Sequence, residues 1–377
     1  MRRAMLAIGV LVVGLAFWVF GRGTALPAVT GPYAVGLRRQ AWVDTARPEV
    51  MTVAADDVRE VPVVIWYPAQ TATGRAGAYF PGLEAVAADL AASGDVSPLE
   101  VALLPYVHSA VRVGADVAAG VERYPVLVFS PGNASNIEFY AALAADLASW
   151  GYVVVGVNHP YDAAAVALSD GRVARYDNDA WPMDRGARQA IVAGRIAVRT
   201  ADVQFALAQL AALDTAGHDA LSGRLDWQRV GVLGHSLGGI TAAQACLADL
   251  AIGACLNLDG LQAGGPFAAE GNPTLPEQPF MFFTKEAQLA PAVTGWLAAL
   301  PGGGYTVTLS GATHDSFSDG PALLAGLLPW PTPAVATMVQ VRAYTRAFFD
   351  ETLRGQAGAL VAGPAGGGVR VTIYPGG

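Results

Sequence analysis

RVGVLGHSLGG, residues 229–239, joins a short apolar run to Gly234-His235-Ser236-Leu237-Gly238 and then to the small residues Gly239 to Ala243. A strand that turns sharply at a serine and enters a helix presents the hydroxyl at the head of a parallel sheet. The flanking glycines permit the strained turn and a close strand–helix approach. The helix N-terminus favours negative charge developing beside it. The pentapeptide alone is a weak signal, because Gly and Ser are common. The apolar strand before it and the helix after it give it weight, and they predict Ser236 as a nucleophile.

The flanking sequence repeats the same grammar. Val61–Tyr67, Tyr124–Phe129, Tyr152–Val157, Arg229–Leu233, Ala254–Leu258, Pro279–Phe283 and Tyr305–Leu309 read as short, nearly all-apolar strands. Between them, Glu138–Trp150, Ile191–Ala211 and Gly239–Leu247 read as helices, and a last stripe runs through Val341, Tyr344, Phe348 and Leu353. Continuously apolar strands alternating with helices predict a mostly parallel central sheet covered by helices on both faces. Residues 69–120 are rich in Ala and Gly with helical periodicity, and read as a helical insertion near the cleft. Residues 21–50 read as a linker and lead-in, and residues 356–377 as a loose Gly/Ala-rich tail with one strand-like piece, Val369–Ile373.

A serine nucleophile needs a base, and the base needs an orienting acid. Of the five histidines, His314 follows the last strand before the C-terminal helix, where the chain order Ser, acid, His places the base. His159 closes a strand in Asn158-His159-Pro160-Tyr161 and is the runner-up for the base, with lining of the pocket as its other reading. His235, beside the nucleophile, is read as structural or pocket-lining. Two acids compete on pattern alone: Asp259 ends the strand after the nucleophile unit, and Glu286 follows the next strand. Asp315 adjoins His314, but sequence neighbours seldom orient one another's rings. The turn Ser130-Pro131-Gly132-Asn133 ends another strand, and the backbone N–H groups of Asn133 and Leu237 form the expected oxyanion hole.

Composition narrows the class. The 377 residues carry 31 acidic and 23 basic side chains, a net charge of −8, and Lys285 is the single lysine, so a basic nucleic-acid groove is not expected. Hydrophobic residues make up 53% and charged residues 14%, enough to bury a core. Two cysteines, Cys246 and Cys255, rule out a disulfide-stapled scaffold, and a bridge between them stays open beside two buried thiols. The histidines are scattered, no H-E-x-x-H occurs and no dinucleotide fingerprint follows a strand, so neither metal nor cofactor is expected. Arg2 and Arg3 precede an uncharged run from Ala4 to Phe20, about 25 Å long as a helix. A cleaved export signal and an uncleaved membrane anchor within residues 1–28 both fit, and both put the rest outside the cytoplasmic membrane. No second stretch of that length and apolarity is expected.

These residues together resemble the platelet-activating factor acetylhydrolase family, of the plasma and intracellular type II kind with bacterial relatives. The pieces are VPVVIWYPA (61–69), YPVLVFSPGNAS (124–135), LASWGYVVVGVNHP (147–160), GVLGHSLGG (231–239), LNLDG (256–260), QPFMFF (278–283) and THDSF (313–317). They extend over residues 30–355. The resemblance implies an α/β-hydrolase fold, one catalytic domain over residues 29–355, and the triad Ser236, Asp259 and His314. It favours Asp259 over Glu286, because the family's acid follows the strand directly after the nucleophile unit. Gly132-Asn133 corresponds to the family's oxyanion turn, although Pro131 stands where the family often has His. The implied activity is serine ester hydrolysis without cofactor or metal, on short-acyl or oxidised glycerophospholipids. A general short-chain carboxylesterase or polyester hydrolase is the alternative, and an inactive hydrolase fold used for binding is the reading from another class. The expected partner is a small-molecule or lipid ester, with membrane association through the N-terminal segment and no nucleic acid.

Overall fold

The computed structural model describes residues 24–54, 56–71, 73–94, 96–176, 184–260, 275–285, 289, 291–325, 332–362 and 367–376. The run at 4–20, and with it the choice between anchor and cleaved signal, lies outside the described residues, as does Glu286.

Nine strands form the body of one sheet: β1 (Ala34–Pro48), β2 (Val58–Ala69), β3 (Tyr124–Ser130), β4 (Val153–Val157), β5 (Leu225–His235), β6 (Ala254–Leu258), β7 (Phe280–Thr284), β8 (Gly304–Leu309) and β9 (Val369–Tyr374). Their spatial order is β1-β2-β4-β3-β5-β6-β7-β8-β9, extended beyond β1 by Val111–Val113 and Arg75–Ala76. Neighbours from β4 through β8 run parallel, and β1–β2, β2–β4 and β8–β9 run antiparallel. This is an α/β-hydrolase sheet.

Strand alternation assigns side chains to two layers. In β3, Val126 and Val128 face one layer, and Leu127 and Phe129 the other. The first layer is covered by α4 (Arg185–Thr215) through Val203, Leu207 and Leu210, by α5 (Leu237–Ala248), and by α6 (Pro291–Ala298) through Trp296 and Leu297. The second is covered by α3 (Ala141–Ser149) through Leu143 and Leu147, and by α8 (Pro333–Thr352) through Val341, Tyr344 and Phe348. Each such side chain, fully buried, contributes about 1.5–3 kcal/mol. The central strands are therefore both the most apolar and the most firmly held.

Four sequence expectations change. The lead-in is not irregular: β1 is a 15-residue strand, paired antiparallel with β2. It lies near the sheet's edge, and from Arg38 to Asp44 its side chains alternate between half-buried and exposed, so its polar composition hid it. The C-terminal segment is not loose, because β9 pairs along the whole of β8 and covers that edge. Residues 69–120 contain α1 (Leu83–Ser93) and α2 (Pro98–Leu103), but also short strands that extend the sheet. Residues Gly186–Thr215 of α4 are long and apolar enough to cross a membrane by length and composition, contrary to the expectation of no second such stretch. Arg199 and Asp202 of this helix are buried among ion-pair partners, and its apolar stripe packs on the sheet, which makes it a covering helix of the body.

Candidate active site

Ser236 sits where β5 becomes α5, with φ 53° and ψ −118°. Such a conformation is costly for a non-glycine residue and persists only where its surroundings impose it. The surroundings are explicit. A Cβ on Gly234 would collide with the carbonyl of Gly238, and one on Gly238 with the carbonyl of Ser130. Both glycines are required by close approach of backbone to backbone. The Ser236 N–H donates to the Leu258 carbonyl at 2.8 Å, which ties the elbow to β6.

Three sequence-predicted residues, 23 and 55 positions apart in the chain, converge at the carboxyl ends of β5, β6 and β8. The Ser236 hydroxyl donates to His314 Nε2 at 2.9 Å, and His314 Nδ1–H donates to Asp259 Oδ2 at 2.6 Å. Asp259 is itself in the left-handed region, φ 52°. Its other oxygen accepts from the Thr284 hydroxyl at 2.9 Å, and Lys285 Nζ lies 3.4 Å from Oδ2. Burial would raise this carboxyl, but His314, Thr284 and Lys285 outweigh it and hold the group below the ordinary aspartate value. The acid therefore stays ionised across the neutral range.

His235 is tied into the same floor. The Gly132 N–H donates to the Tyr140 hydroxyl at 3.1 Å, so that hydroxyl's own proton is directed to His235 Nδ1, 2.9 Å away. His235 Nε2–H then donates to the His314 carbonyl at 3.0 Å. This network sets the tautomer. Burial, together with the neighbouring His314, pushes the His235 pKa down to about 3, so the ring is neutral. His235 also packs on His314, with ring centroids 4.5 Å apart. It braces His314 and lines the cleft.

His159 does not line the cleft. It is fully buried, with Nε2 2.9 Å from the Ser130 hydroxyl and Nδ1 2.8 Å from Asp202. A strand's carboxyl end is the right place for a site residue, but the bulk of α4 covers this one. Asn133 does line the cleft. Its side chain is occupied, with Nδ2 donating to the Tyr176 hydroxyl at 2.7 Å and Oδ1 accepting from Arg195 at 2.9 Å. Leu237 occupies the first helical position of α5, where an N–H has no acceptor within its own helix.

The cleft above these residues measures about 590 Å³. The 69–120 segment supplies an apolar wall of Val96, Leu103, Leu104 and Val107, and Leu323 and Leu324 of α7 (Gly320–Ala325) face it. Glu100 and Asp315 are its charged lining residues, and no Arg or Lys is among the described residues that line it. No group of three or more His, Cys, Asp or Glu among the described residues is placed to hold a metal ion.

Sequence reading missed Tyr140, Thr284 and the role of Lys285. It also missed the arginines of α4, although two cations four residues apart within an apolar helix, Arg195 and Arg199, were a visible signal. Cys246 and Cys255 form a disulfide between α5 and β6.

The family model for platelet-activating factor acetylhydrolase, isoform II, matches residues 19–329. A probable 1-alkyl-2-acetylglycerophosphocholine esterase of Arthroderma benhamiae is 26% identical over 286 residues, covering 68% of this chain and 70% of that protein. The platelet-activating factor acetylhydrolase of Cavia porcellus is 25% identical over 246 residues, covering 60% of this chain and 53% of that protein. The chain thus matches about half the length of the guinea-pig relative. Among solved structures, a ferulic acid esterase from Streptomyces cinnamoneus aligns with a TM-score of 0.71 and 25% identity, covering 94% of this chain and 100% of that one.

Proposed function

The chain belongs to the platelet-activating factor acetylhydrolase isoform II family and is a serine ester hydrolase; from that premise we propose that Ser236, His314 and Asp259 cleave short-acyl or oxidised glycerophospholipid esters. The hydrogen-bonded chain from the Ser236 hydroxyl through His314 to Asp259 carries the reading. His314 takes the serine proton as the oxygen attacks the ester carbonyl. Asp259 keeps the imidazole in the needed tautomer and stabilises its charged form. The N–H groups of Asn133 and Leu237 hold the oxyanion. His314 returns the proton to the leaving alcohol, and a water activated the same way releases the acid.

The relatives' names favour an acetylated phosphocholine substrate. One observation favours the second reading, a general short-chain carboxylesterase or polyester hydrolase: the described lining of the cleft carries carboxylates and no cation that would grip a phosphate. The disulfide supports an extracytoplasmic location, since such bonds persist in oxidising compartments. Residues 4–20 would deliver the enzyme there and, if retained, hold it at a membrane.

The test is an activity series on purified protein: p-nitrophenyl esters of rising chain length, an acetylated phosphocholine ether lipid and a soluble polyester. Preference for the ether lipid supports the first reading, and preference for the simple esters or polyester replaces it with the second. Ser236→Ala should remove all turnover while the protein stays folded. Retained turnover would remove the serine from its role.

A further inference from the structure

The oxyanion turn is gripped from behind by a buried cation. Arg199, fully buried on α4, donates from one terminal nitrogen to the Pro131 carbonyl at 2.7 Å and from the other to the Gly132 carbonyl at 3.1 Å. Its Nε–H pairs with Asp162. Asp162 in turn accepts from Arg195 at 2.8 Å, and Arg195 also reaches the Asn133 side chain. The backbone carbonyl of Asp162 accepts the Ala134 N–H at 2.9 Å, at a residue with φ 53°. One guanidinium, one carboxylate and one helix therefore fix consecutive peptide units of the turn.

Peptide planarity turns this grip into an orientation. No peptide bond among the described residues is cis, so the C=O and N–H of each unit point in opposite directions. The unit that carries the Pro131 carbonyl also carries the Gly132 N–H, and Tyr140 takes that N–H from the other side. The unit that carries the Gly132 carbonyl also carries the Asn133 N–H. With its carbonyl drawn to Arg199, this unit aims its N–H away from α4, toward the cleft that Asn133 lines. We propose that Arg199, braced by Asp162, is the positioning residue of the oxyanion hole: it clamps the Pro131 and Gly132 carbonyls so that the Asn133 N–H is aimed at the developing oxyanion before substrate arrives. This rests on the assignment of Ser236 and Asn133 under the proposed function, and it adds a residue that never touches substrate.

The planar fork of arginine spans two carbonyls and a carboxylate at once, whereas a lysine ammonium is a point charge that cannot. Arg199→Lys keeps the charge facing Asp162 and loses the clamp. Arg342, which is not among the described residues that line the cleft, provides a matched control. It is also buried, donates to the carbonyls of Pro27 and Ala28 at 3.0 and 2.7 Å, and pairs with the buried Asp146. Arg342→Lys inflicts the same chemical lesion without touching the oxyanion turn.

The experiment measures kcat and KM on p-nitrophenyl acetate, the melting temperature, and inhibition by a trifluoromethyl ketone, whose adduct with the serine places an oxyanion in the hole. Loss of a whole oxyanion donor costs about 100- to 1,000-fold in kcat, so a misaimed one should cost about 10- to 100-fold. Arg199→Lys should lower kcat by that amount with KM within about threefold, and the ketone's inhibition constant should rise by the factor that kcat/KM falls. Arg342→Lys should lower the melting temperature while kcat and ketone binding stay at wild-type values. The proposal is overturned if folded Arg199→Lys keeps wild-type kcat and ketone affinity, or if Arg342→Lys loses both to the same degree. Should Arg199→Lys fail to fold, Asp162→Asn, which loosens the brace and leaves the guanidinium, should still lower kcat several-fold at constant KM; wild-type kcat there also overturns it. Ser236→Ala in the same assays separates the two readings. If it is inactive while Arg199→Lys is normal, the clamp alone falls, and if it is active, the site assignment falls with it.

Discussion

Asp259→Asn removes one charge and almost no volume from the floor of the site. In the wild type, Asp259 Oδ2 lies 2.6 Å from His314 Nδ1, and the side chain is only 2% exposed. When His314 takes the serine proton, the two charge centres lie about 4 Å apart. At the effective dielectric of such sites, about 20, their attraction is about 4 kcal/mol, or about three powers of ten in rate. Two further effects push the loss upward. An amide can donate to Nδ1 and so favour the tautomer whose Nε2 carries a proton, which cannot accept one from Ser236. Lys285 Nζ, 3.4 Å from the same oxygen, would then face the imidazolium with no carboxylate between them, although its 30% exposure lets solvent screen part of the repulsion. The expected loss in kcat is therefore about 10³- to 10⁴-fold, with KM changed by less than about threefold. Turnover of p-nitrophenyl acetate at pH 7 measures it, with a thermal melt to show that the variant is folded. A loss below tenfold in folded protein would refute the reasoning. So would a larger loss from Glu286→Gln, which would move the acid to that residue.

Asp319 offers a pH test away from the reacting atoms. Burial pushes its carboxyl up to about 7, against partial compensation from the Ala142 N–H and the Tyr79 hydroxyl, which it accepts at 3.1 and 2.9 Å. In the unfolded chain the group titrates near about 3.9, so the folded state favours the protonated form. That contribution is whole below about pH 4 and is lost as pH rises through about 7. Asp319→Asn should flatten the melting temperature across this window, and an unchanged slope would contradict the assignment. The Cys246–Cys255 bridge closes a short loop, worth about 2–3 kcal/mol, so in a chain of 377 residues Cys246→Ala/Cys255→Ala should melt about 3–4 °C lower. Two thiols titrating in denatured, unreduced wild-type protein would show that no bridge forms.

The parallel core was legible because its strands are buried on both faces. A run such as Val153–Val157 has no polar position and one structural meaning. β1 was illegible for the converse reason: near the sheet's edge its half-exposed composition is that of a linker. The serine elbow was legible where its constraint is local. Gly234 is required by the backbone of Gly238 and Gly239, four and five residues on, whereas Gly238 is required by the distant backbone of Ser130 and Pro131. His159 shows where local signals mislead. It stands at a strand's carboxyl end, but only the packing of α4 decides that it faces Ser130 and Asp202 rather than the cleft.

The sequence by itself determined the chemistry available: a strained serine turn, a late histidine, two rival acids, a Gly-Asn turn and a net charge that disfavours nucleic acid. Those follow from backbone sterics and composition, which act over a few residues. Tertiary structure decided which groups meet. It brought His314 to Asp259 across 55 residues, placed Thr284 and Lys285 on the same carboxylate, and turned Arg199 onto carbonyls 68 and 67 positions away. Hydrogen bonds and ion pairs at such separations depend on how helices lie against the sheet. No local pattern encodes them, because the distance along the chain says nothing of the distance across the fold.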